Sequence, residues 1–468
     1  MIGQSERCTF HSTNPELTTV CQVPTVRPRA TTIAYLTKFP LPYILYIKRT
    51  AERRHAMRSG GVLRWLRGRP GTSAFLAFLL VYLAVFRYCS QAYYRDPTSA
   101  FFDPVRGYEP RYSAGRQNDA ETFIRNANLT TYGQTTLQDP KMCIGIATVA
   151  REQDQYVRRT IGSLIDGLEP SEREQIFLVV LIAHADPQMH PIYGEPWLTN
   201  VADKTLLYDV NQGRLQNLRD WETNKDYRKK GVFDYTYVLQ RCVDAGTQWI
   251  AMIEDDTLAV DGWFPRAMEA LQKADEQHPT TDEMDWLYLR LFYTEEFLGW
   301  NKEEWRQYFA VSIAVTGMTG MALLLIRQFL FEKTITNNFI AVACLVCAPA
   351  CISLYFMAGR LSMQPPLPGV YPMPKYGCCA QGLVYSHRMA SKVITRLAQV
   401  REGYVDQIVE AWANEANLVR WVTIPSLLQH VGSSSSKGDD RGSAAKYGRS
   451  VAEKIWSFSF EEYGDENT

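Results

Sequence analysis

The chain has 468 residues, and its 50 Lys and Arg balance 50 Asp and Glu, so the formal net charge is zero at pH 7. A chain with no basic excess has no electrostatic footprint for nucleic acid, and we expect no nucleic-acid partner. A composition that is 46% hydrophobic and 12% aromatic supports a large core and excludes disorder over most of the chain, while ten scattered cysteines are too few for a disulfide scaffold.

Residues 1–70 are predicted to form a poorly ordered cytosolic tail. Pro40 and Pro42 interrupt its apolar run, and six arginines between positions 53 and 69 stand directly before an uncharged segment. Arginines that flank a membrane span favour the cytosolic side, so we expect a cytosolic N-terminus and a lumenal chain beyond the span. A signal peptide is not expected, because its apolar core would begin well before residue 70.

Three apolar stretches, at 72–86, 309–326 and 339–357, contain no charged residue. Each approaches the ~20 residues that cross a bilayer core, which predicts a transmembrane helix over 71–90 and a transmembrane hairpin over 309–357. Buried core helices are the alternative interpretation.

A hairpin that enters from the lumen and returns to it leaves both flanking regions in one compartment. The predicted organisation is therefore a lumenal stem over 91–140 and a single lumenal domain in two parts, 141–308 and 358–468. Asn128, in an Asn-Leu-Thr tripeptide, would then be open to glycosylation.

From residue 141 onward, strand and helix patterns alternate. Apolar runs at 143–149, 176–183 and 249–253 predict buried strands, with another near Leu206. A helix over 233–246 precedes the last run. An earlier helix is indicated by apolar residues at helical spacing, namely Val157, Ile161, Leu164, Ile165 and Leu168. Continuous apolar strands that alternate with helices predict an α/β fold whose mostly parallel sheet is covered on both faces.

Three consecutive acids, Glu254, Asp255 and Asp256, follow the strand WIAMI. Open α/β sheets bind ligands at the carboxyl ends of their strands. Adjacent carboxylates repel one another, and a divalent cation completed by substrate phosphates is a common way to neutralise them. The alternative is a solvated acidic turn, but its position after a central strand favours a cation and nucleotide-diphosphate site.

The order of the motifs in this chain resembles that of the GT-A glycosyltransferases. The motifs are CIGIATVARE, VVLIAHAD, KKGVFDYTYVLQRC, WIAMIEDD, WLYLRLFYTEEFLGW and IPSLLQHVGSSSS. The chain is most similar, roughly over 141–462, to the Golgi enzymes that add N-acetylgalactosamine (GalNAc) to glycosylphosphatidylinositol (GPI) anchors already attached to protein. It is more distantly similar to the N-acetylglucosaminyltransferases that branch N-glycans. A membrane hairpin inside the catalytic fold favours the GPI-modifying family.

The resemblance implies a GT-A fold, with a mostly parallel Rossmann-like sheet interrupted by a transmembrane hairpin. It implies transfer of a sugar, GalNAc, from a UDP-sugar to the mannose core of a GPI-anchored glycoprotein at a Golgi membrane. The reaction is expected to invert the sugar and to need a divalent metal, Mn²⁺. Membrane lipid is a further expected partner. The alternatives are an N-glycan branching enzyme and a non-catalytic membrane scaffold.

The resemblance also places roles on individual residues. Asp256, Asp255 and His430 are the expected metal contacts, although a histidine before Val-Gly often only packs in a core. The expected nucleotide-sugar residues are Thr148, Ala150, Arg151, Asp186, Lys229, Lys230, Asp234, Glu254 and Asp255. The charges of the helix before WIAMI could equally face water. Trp300 is a candidate for stacking on a sugar, with core packing as the alternative.

An inverting transfer needs one carboxylate to take the proton of the acceptor hydroxyl. Asp406, Glu295 and Glu296 are the candidates for this base, and Asp406 could instead be an ordinary surface carboxylate of a helix. Adjacent cysteines cannot easily pair with each other, so Cys379 and its neighbour are expected to pair among Cys143, Cys242 and Cys89 in an oxidising lumen.

Overall fold

The computed structural model describes residues 70–128, 140–151, 154–278, 286–329, 334–373, 379–433 and 449–467. The predicted cytosolic tail therefore lies outside the described residues. So does part of the glycosylation tripeptide that begins at Asn128.

Strands and helices alternate through the described chain, as the sequence pattern predicts. The strands are β1 (Met142–Thr148), β2 (Ile176–Ile182), β3 (Lys204–Leu206), β4 (Trp249–Ile253), β5 (Thr257–Ala259), β6 (Trp286–Arg290), β7 (Gly369–Pro372), β8 (Gly382–Ser386), β9 (Val419–Ile424) and β10 (Leu428–His430).

The α-helices differ widely in length, from single turns to spans of more than twenty residues. Those before the predicted hairpin are α1 (Pro70–Ala92), α2 (Pro104–Gly107), α3 (Tyr112–Ala127), α4 (Val157–Ile165), α5 (Pro170–Arg173), α6 (Pro196–Val201), α7 (Gln212–Thr223), α8 (Tyr227–Asp244) and α9 (Trp263–Gln277). The hairpin and the chain after it contribute α10 (Trp305–Phe329), α11 (Asn337–Val342), α12 (Ala348–Met357), α13 (Arg360–Met363), α14 (His387–Val400), α15 (Val405–Ala416) and α16 (Val451–Lys454). A π-helical turn, Ala343–Cys347, joins α11 to α12, and 3₁₀ turns lie at Pro187–Met189, Glu295–Leu298, Lys302–Glu304 and Ser459–Asn467.

Eight strands form one sheet in the order β3-β2-β1-β4-β8-β6-β9-β7. The first four run parallel, as does the pair β6 and β9, whereas β8 and β7 run antiparallel to their neighbours. Strand β8 follows the apolar hairpin in the chain, yet it lies between β4 and β6, which precede the hairpin. The two parts of the domain therefore build a single sheet, and this mixed α/β architecture is compatible with a GT-A fold.

Helices cover both faces of the sheet, because alternate strand residues point to opposite sides. Ile144 and Val180 pack into a core with α3, α4 and α9, whereas Val179 and Leu181 pack into a second core with α8, α14 and α15. The helix predicted to include Leu168 ends at Ile165. Gly167 follows with φ +82°, a left-handed conformation that breaks the helix, and Leu168 still packs against the same core.

Three helices are long and apolar enough to cross a membrane: Gly71–Ala92, the helical region Glu295–Phe329, and Asn337–Met357. At most 6% of each apolar window is buried inside the protein, which excludes the alternative of core helices. At the chain that leaves α1, the Asp96 carboxylate accepts hydrogen bonds from the backbone N–H of Thr98 at 2.7 Å and of Ser362 at 2.9 Å. The segment after the first apolar helix is thereby bonded to the segment after the hairpin.

The predicted cysteine pairing is wrong. Cys143 of β1 is bonded to Cys242 of α8, whose Cα atoms lie 5.5 Å apart where α8 packs on the sheet, and Cys89 is a free thiol. None of these three is therefore a partner for Cys379, which is itself disulfide-bonded. The sequence could not predict this pair, because the two cysteines are far apart in the chain. Only the packing of α8 on the sheet brings them together.

Candidate active site

A cleft of about 540 Å³ opens at the carboxyl ends of β1 and β4. Residues from both sides of the hairpin line it. Among them are Arg151, Asp234, Glu254, Asp255, Asp256, Asp406 and His430. Seven residues that the sequence nominated thus converge on one cleft, at the edge of the sheet where ligands are expected.

Asp255 is held in place by the end of β1. Its Oδ2 atom accepts hydrogen bonds from Thr148 Oγ1 at 2.7 Å and from the Val149 N–H at 3.4 Å. Only 5% of Asp255 is exposed. Burial raises its pKa, the guanidinium of Arg151 opposes that shift, and the neighbouring Asp256 adds to it. This carboxylate is therefore committed to contacts within the protein.

Arg151 bridges the two aspartates. Its Nη2 atom donates to Asp255 Oδ1 at 2.8 Å and to Asp256 Oδ2 at 3.0 Å. Burial alone would lower the pKa of Arg151, but the charges of Asp255 and then Asp256 more than offset it, so the pKa is raised. A fixed positive charge therefore sits on the acidic pair.

His430 reaches the acidic triplet because β10 pairs antiparallel with β5, which places His430 opposite Thr257. His430 Nε2 lies 3.5 Å from Asp256 Oδ2, and Nδ1 lies 3.1 Å from the carbonyl oxygen of Ile455. That carbonyl can only accept, so the proton is assigned to Nδ1, which leaves Nε2 with a lone pair toward Asp256 when the ring is neutral. Burial alone would lower the pKa of His430, but Asp256 outweighs it and the pKa is raised.

The donor set suits a cation shared with a substrate. Asp256 and His430 offer one oxygen and one nitrogen, and within the described ranges no group of three or more His, Cys, Asp or Glu side chains is arranged to hold a metal. A Cβ added to Gly432 would lie 2.6 Å from Asp256 Oδ2 and 3.0 Å from His430 Nε2. The space beside these two atoms is thus kept free of side chain, and phosphate oxygens would have to complete the coordination.

A second polar cluster lies where α8 meets the ends of β2 and β3. Lys230 Nζ donates to the Ala183 carbonyl at 2.6 Å, to Asp234 Oδ2 at 2.8 Å and to Tyr208 OH at 3.0 Å. Burial raises the pKa of Asp234, although Lys230 opposes the shift. The reading of these α8 charges as solvated is wrong for Lys230 and Asp234, which are only 6% exposed.

Three other predicted nucleotide residues have different surroundings. Lys229 is half-buried, with 42% of its side chain exposed, and pairs with Asp226 at 2.7 Å. Asp186 caps the short turn after β2 by accepting from the Gln188 N–H, and it is not part of the cleft lining. Ala150 also lies outside the lining, but its backbone N–H donates to His184 Nε2 at 2.9 Å, which shapes the chain leading to Arg151.

Asp406 faces the cleft from the first turn of α15. Glu410, one turn later, bonds Arg290 at 2.9 Å and Arg420 at 2.6 Å and accepts from Tyr288 OH. This buried network fixes the helix that presents Asp406. Sequence reasoning missed Glu410, whose signal was its i+4 spacing from a candidate base.

Glu295 and Glu296 lie outside the cleft lining and make structural contacts. The buried Glu295 carboxylate accepts from the backbone N–H groups of Phe458 and Ser459, each at 2.8 Å, and Glu296 accepts from Tyr108 OH at 2.9 Å. Both residues therefore join the start of the hairpin region to other parts of the fold, and Asp406 is the base candidate that faces the cleft.

Trp300 lies at the base of the hairpin, outside the cleft lining. Its ring packs against Tyr308, Tyr355 and Phe356, and its Nε1 donates to the Phe356 carbonyl at 3.1 Å. This geometry favours the packing alternative over sugar stacking.

Two histidines that the sequence analysis did not single out, His184 and His190, contact the chain around the end of β1. His190 Nδ1 accepts from the Ile192 N–H at 3.3 Å, so its proton is assigned to Nε2, which contacts Thr148 Oγ1 at 3.1 Å. Thr148 in turn donates to Asp255. Burial lowers the pKa of both His184 and His190 to about 4, with help from Lys230 and from His184 respectively. A histidine placed just after a buried strand was the available signal for His184.

The sheet, the acidic triplet after a central strand and the cleft that it borders define a glycosyltransferase. A sequence profile of the family described as GPI-N-acetylgalactosamine transferase PGAP4 matches residues 142–429, which is more than half of the chain. The chain belongs to this family.

Curated relatives include three alpha-1,3-mannosyl-glycoprotein 4-beta-N-acetylglucosaminyltransferases. The B enzyme of Mus musculus is 28% identical over 153 residues, covering 30% of this chain and 27% of its own. The A enzyme of Bos taurus is 27% identical over 29% of this chain and 27% of its own, and the C enzyme of Danio rerio is 25% identical over 25% and 28%. The chain spans about a quarter of the length of these relatives.

Proposed function

We propose that this chain transfers GalNAc from UDP-GalNAc to the mannose core of GPI anchors on proteins, at the Golgi membrane, with the cleft in the lumen. The observation that carries the proposal is an apolar hairpin that interrupts the chain between β6 and β7, two strands of the same sheet, in a member of this family. Strand β8 returns from the hairpin to the centre of the sheet, so the cleft and the hairpin belong to one fold.

The donor is proposed to lie along the cleft from α8 to β10. Lys230 and Asp234 would face the nucleoside side, and Arg151, Asp256 and His430 the diphosphate. Asp256 and His430 would hold a divalent cation, Mn²⁺, which stabilises negative charge on the leaving diphosphate when it is bound.

The acceptor hydroxyl oxygen would attack the anomeric carbon from the face opposite UDP. A new C–O bond forms, the bond to the UDP oxygen breaks with its electron pair leaving on UDP, and the hydroxyl proton passes to Asp406. Within the described residues, the Asp406 carboxylate has no hydrogen bond or ion pair, which supports its availability as the base.

The hairpin would set the position of the cleft relative to the bilayer. A C-terminal segment links the cleft to the hairpin region. The Ile455 carbonyl contacts His430 in the cleft, while the Phe458 N–H donates to Glu295, just before α10. A GPI acceptor is confined to the membrane by its lipid. A cleft at a fixed height above the bilayer would meet that glycan by a search in two dimensions.

The experiment is a transfer assay with the purified full chain in liposomes. UDP-GalNAc, UDP-GlcNAc, UDP-Gal and UDP-Glc are each offered with a membrane-embedded GPI protein, the same GPI glycan freed of lipid, or an N-glycan. We expect UDP-GalNAc with the embedded GPI protein to react fastest. Preferred transfer from UDP-GlcNAc to the N-glycan would favour the activity named in the curated relatives, and no transfer to any acceptor would favour a scaffold.

A further inference from the structure

The guanidinium of Arg151 occupies the acidic pair in the way a bound cation would. It contacts both Asp255 and Asp256, and it shares one atom, Asp256 Oδ2, with His430. That oxygen is the atom that the pair Asp256 and His430 would present to a divalent ion. Arg151 and the ion therefore compete for the same ligand.

Resting on the proposed function, we propose that Arg151 is a built-in counter-cation of Asp255 and Asp256. A divalent ion would displace its guanidinium from the pair, and the donor diphosphate would then accept hydrogen bonds from it. Arg151 would thus couple cation binding to nucleotide binding. In this role it is a positioning residue of the donor site.

The burial of the pair explains why a counter-cation is needed. The side chains of Arg151 and Asp255 are each 7% exposed, and that of Asp256 is 13% exposed. Two adjacent buried carboxylates without a partner charge would be strongly destabilising. Arginine suits this position because its guanidinium stays protonated under all ordinary conditions.

The contacts of Arg151 also leave one of its buried donors unused. Its Nη2 atom makes both ion pairs, whereas its buried Nε atom has no hydrogen-bond partner among the described residues. Arg151 lines the cleft, so a diphosphate there could accept from donors that the aspartates do not use. A divalent ion beside Asp256 would repel the guanidinium, and a diphosphate would attract both.

The coupling predicts that Mn²⁺ alone binds weakly and that UDP strengthens it. Free Mn²⁺ is measured by electron paramagnetic resonance with the purified full chain in detergent micelles, with and without saturating UDP. We expect wild type to bind Mn²⁺ at least roughly tenfold more tightly with UDP, within the usual range of coupling between sites. In Arg151→Gln, Mn²⁺ affinity without UDP should rise by a similar factor, and the gain from UDP should shrink.

Two variants isolate the charge of Arg151. Arg151→Lys keeps a positive charge and should bind Mn²⁺ without UDP nearly as weakly as wild type. Arg159→Gln is the matched control, because Arg159 pairs with Glu121 at 3.2 Å and Asp154 at 2.8 Å and does not line the cleft. Thermal unfolding adds a readout independent of activity, since Mn²⁺ should raise the midpoint of Arg151→Gln more than that of wild type.

Two results would overturn the inference while leaving the proposed function intact. One is an Arg151→Gln protein that binds Mn²⁺ no more tightly than wild type in the absence of UDP. The other is an Arg151→Lys protein that gains as much affinity as Arg151→Gln. A wild-type protein that binds no Mn²⁺ even with UDP would instead remove the metal from the proposed function and the inference together.

Discussion

His430 Nε2 lies 3.5 Å from Asp256 Oδ2, although the whole apolar hairpin separates the two residues in the chain. The approach is fixed by backbone, because β10 pairs with β5 directly after the acidic triplet. The backbone at Gly432, two residues beyond His430, lies close to Asp256 Oδ2 and His430 Nε2. Any side chain at this position would enter the space beside these two atoms.

Gly432→Ala should therefore weaken the cation site. The added methyl group would lie within 3.0 Å of His430 Nε2, so we expect the half-saturating Mn²⁺ concentration for transfer to rise by roughly tenfold or more, the scale seen when the surroundings of metal ligands are changed. Gly115→Ala is the control, because a Cβ there meets no atom within 4 Å. An unchanged Mn²⁺ dependence in Gly432→Ala would place the cation elsewhere.

Glu410→Gln should lower turnover through Asp406. The substitution leaves the buried Arg290 and Arg420 without their shared carboxylate, which should cost about 3–5 kcal/mol of unfolding free energy and loosen the start of α15. We expect kcat to fall while the KM for UDP-GalNAc stays nearly constant. Glu415→Gln, an exposed residue of the same helix that pairs with Arg396, should change neither quantity. A raised KM with normal kcat would assign the network to donor binding instead.

Glu295→Ala should act on stability. It leaves the N–H groups of Phe458 and Ser459 unsatisfied in a buried environment, at a cost of about 1–3 kcal/mol for each group. Denaturant unfolding should show a loss of this size, while the folded fraction keeps its kcat. Loss of transfer in fully folded protein would restore Glu295 as a base candidate.

Much of the fold could be predicted from the sequence, because apolar runs such as Trp249–Ile253 have the length and flanking residues of buried strands. The position of the triplet also follows from that strand. Contacts that depend on tertiary packing could not be predicted. The pairing of Cys143 with Cys242 and the structural role of Glu295 depend on a helix docking on a sheet and on a distant C-terminal segment, which leave no local pattern.

The folded protein should lose stability as the pH falls from about 6.5 toward 4. Burial holds the pKa of His184 and His190 at about 4, below the ordinary value of 6.5, so the unfolded chain binds more protons in this window. The stability that the two neutral histidines contribute is fully present above pH 6.5. Below that pH, each histidine lowers the free energy of unfolding by at most about 1.4 kcal/mol per pH unit. His190→Gln should flatten the decline in unfolding free energy between pH 6 and pH 5. An identical slope in the variant would show that His190 does not titrate in this range.

The most direct test of the central claim is transfer of GalNAc from UDP-GalNAc to a membrane-embedded GPI protein by Asp406→Asn, measured beside its binding of UDP-GalNAc. The amide cannot take the acceptor proton, so we predict that turnover falls by roughly 10²-fold or more while donor binding remains close to that of wild type. Turnover equal to that of wild type would show that Asp406 is not the base, because the cleft would then catalyse transfer without this carboxylate of its lining.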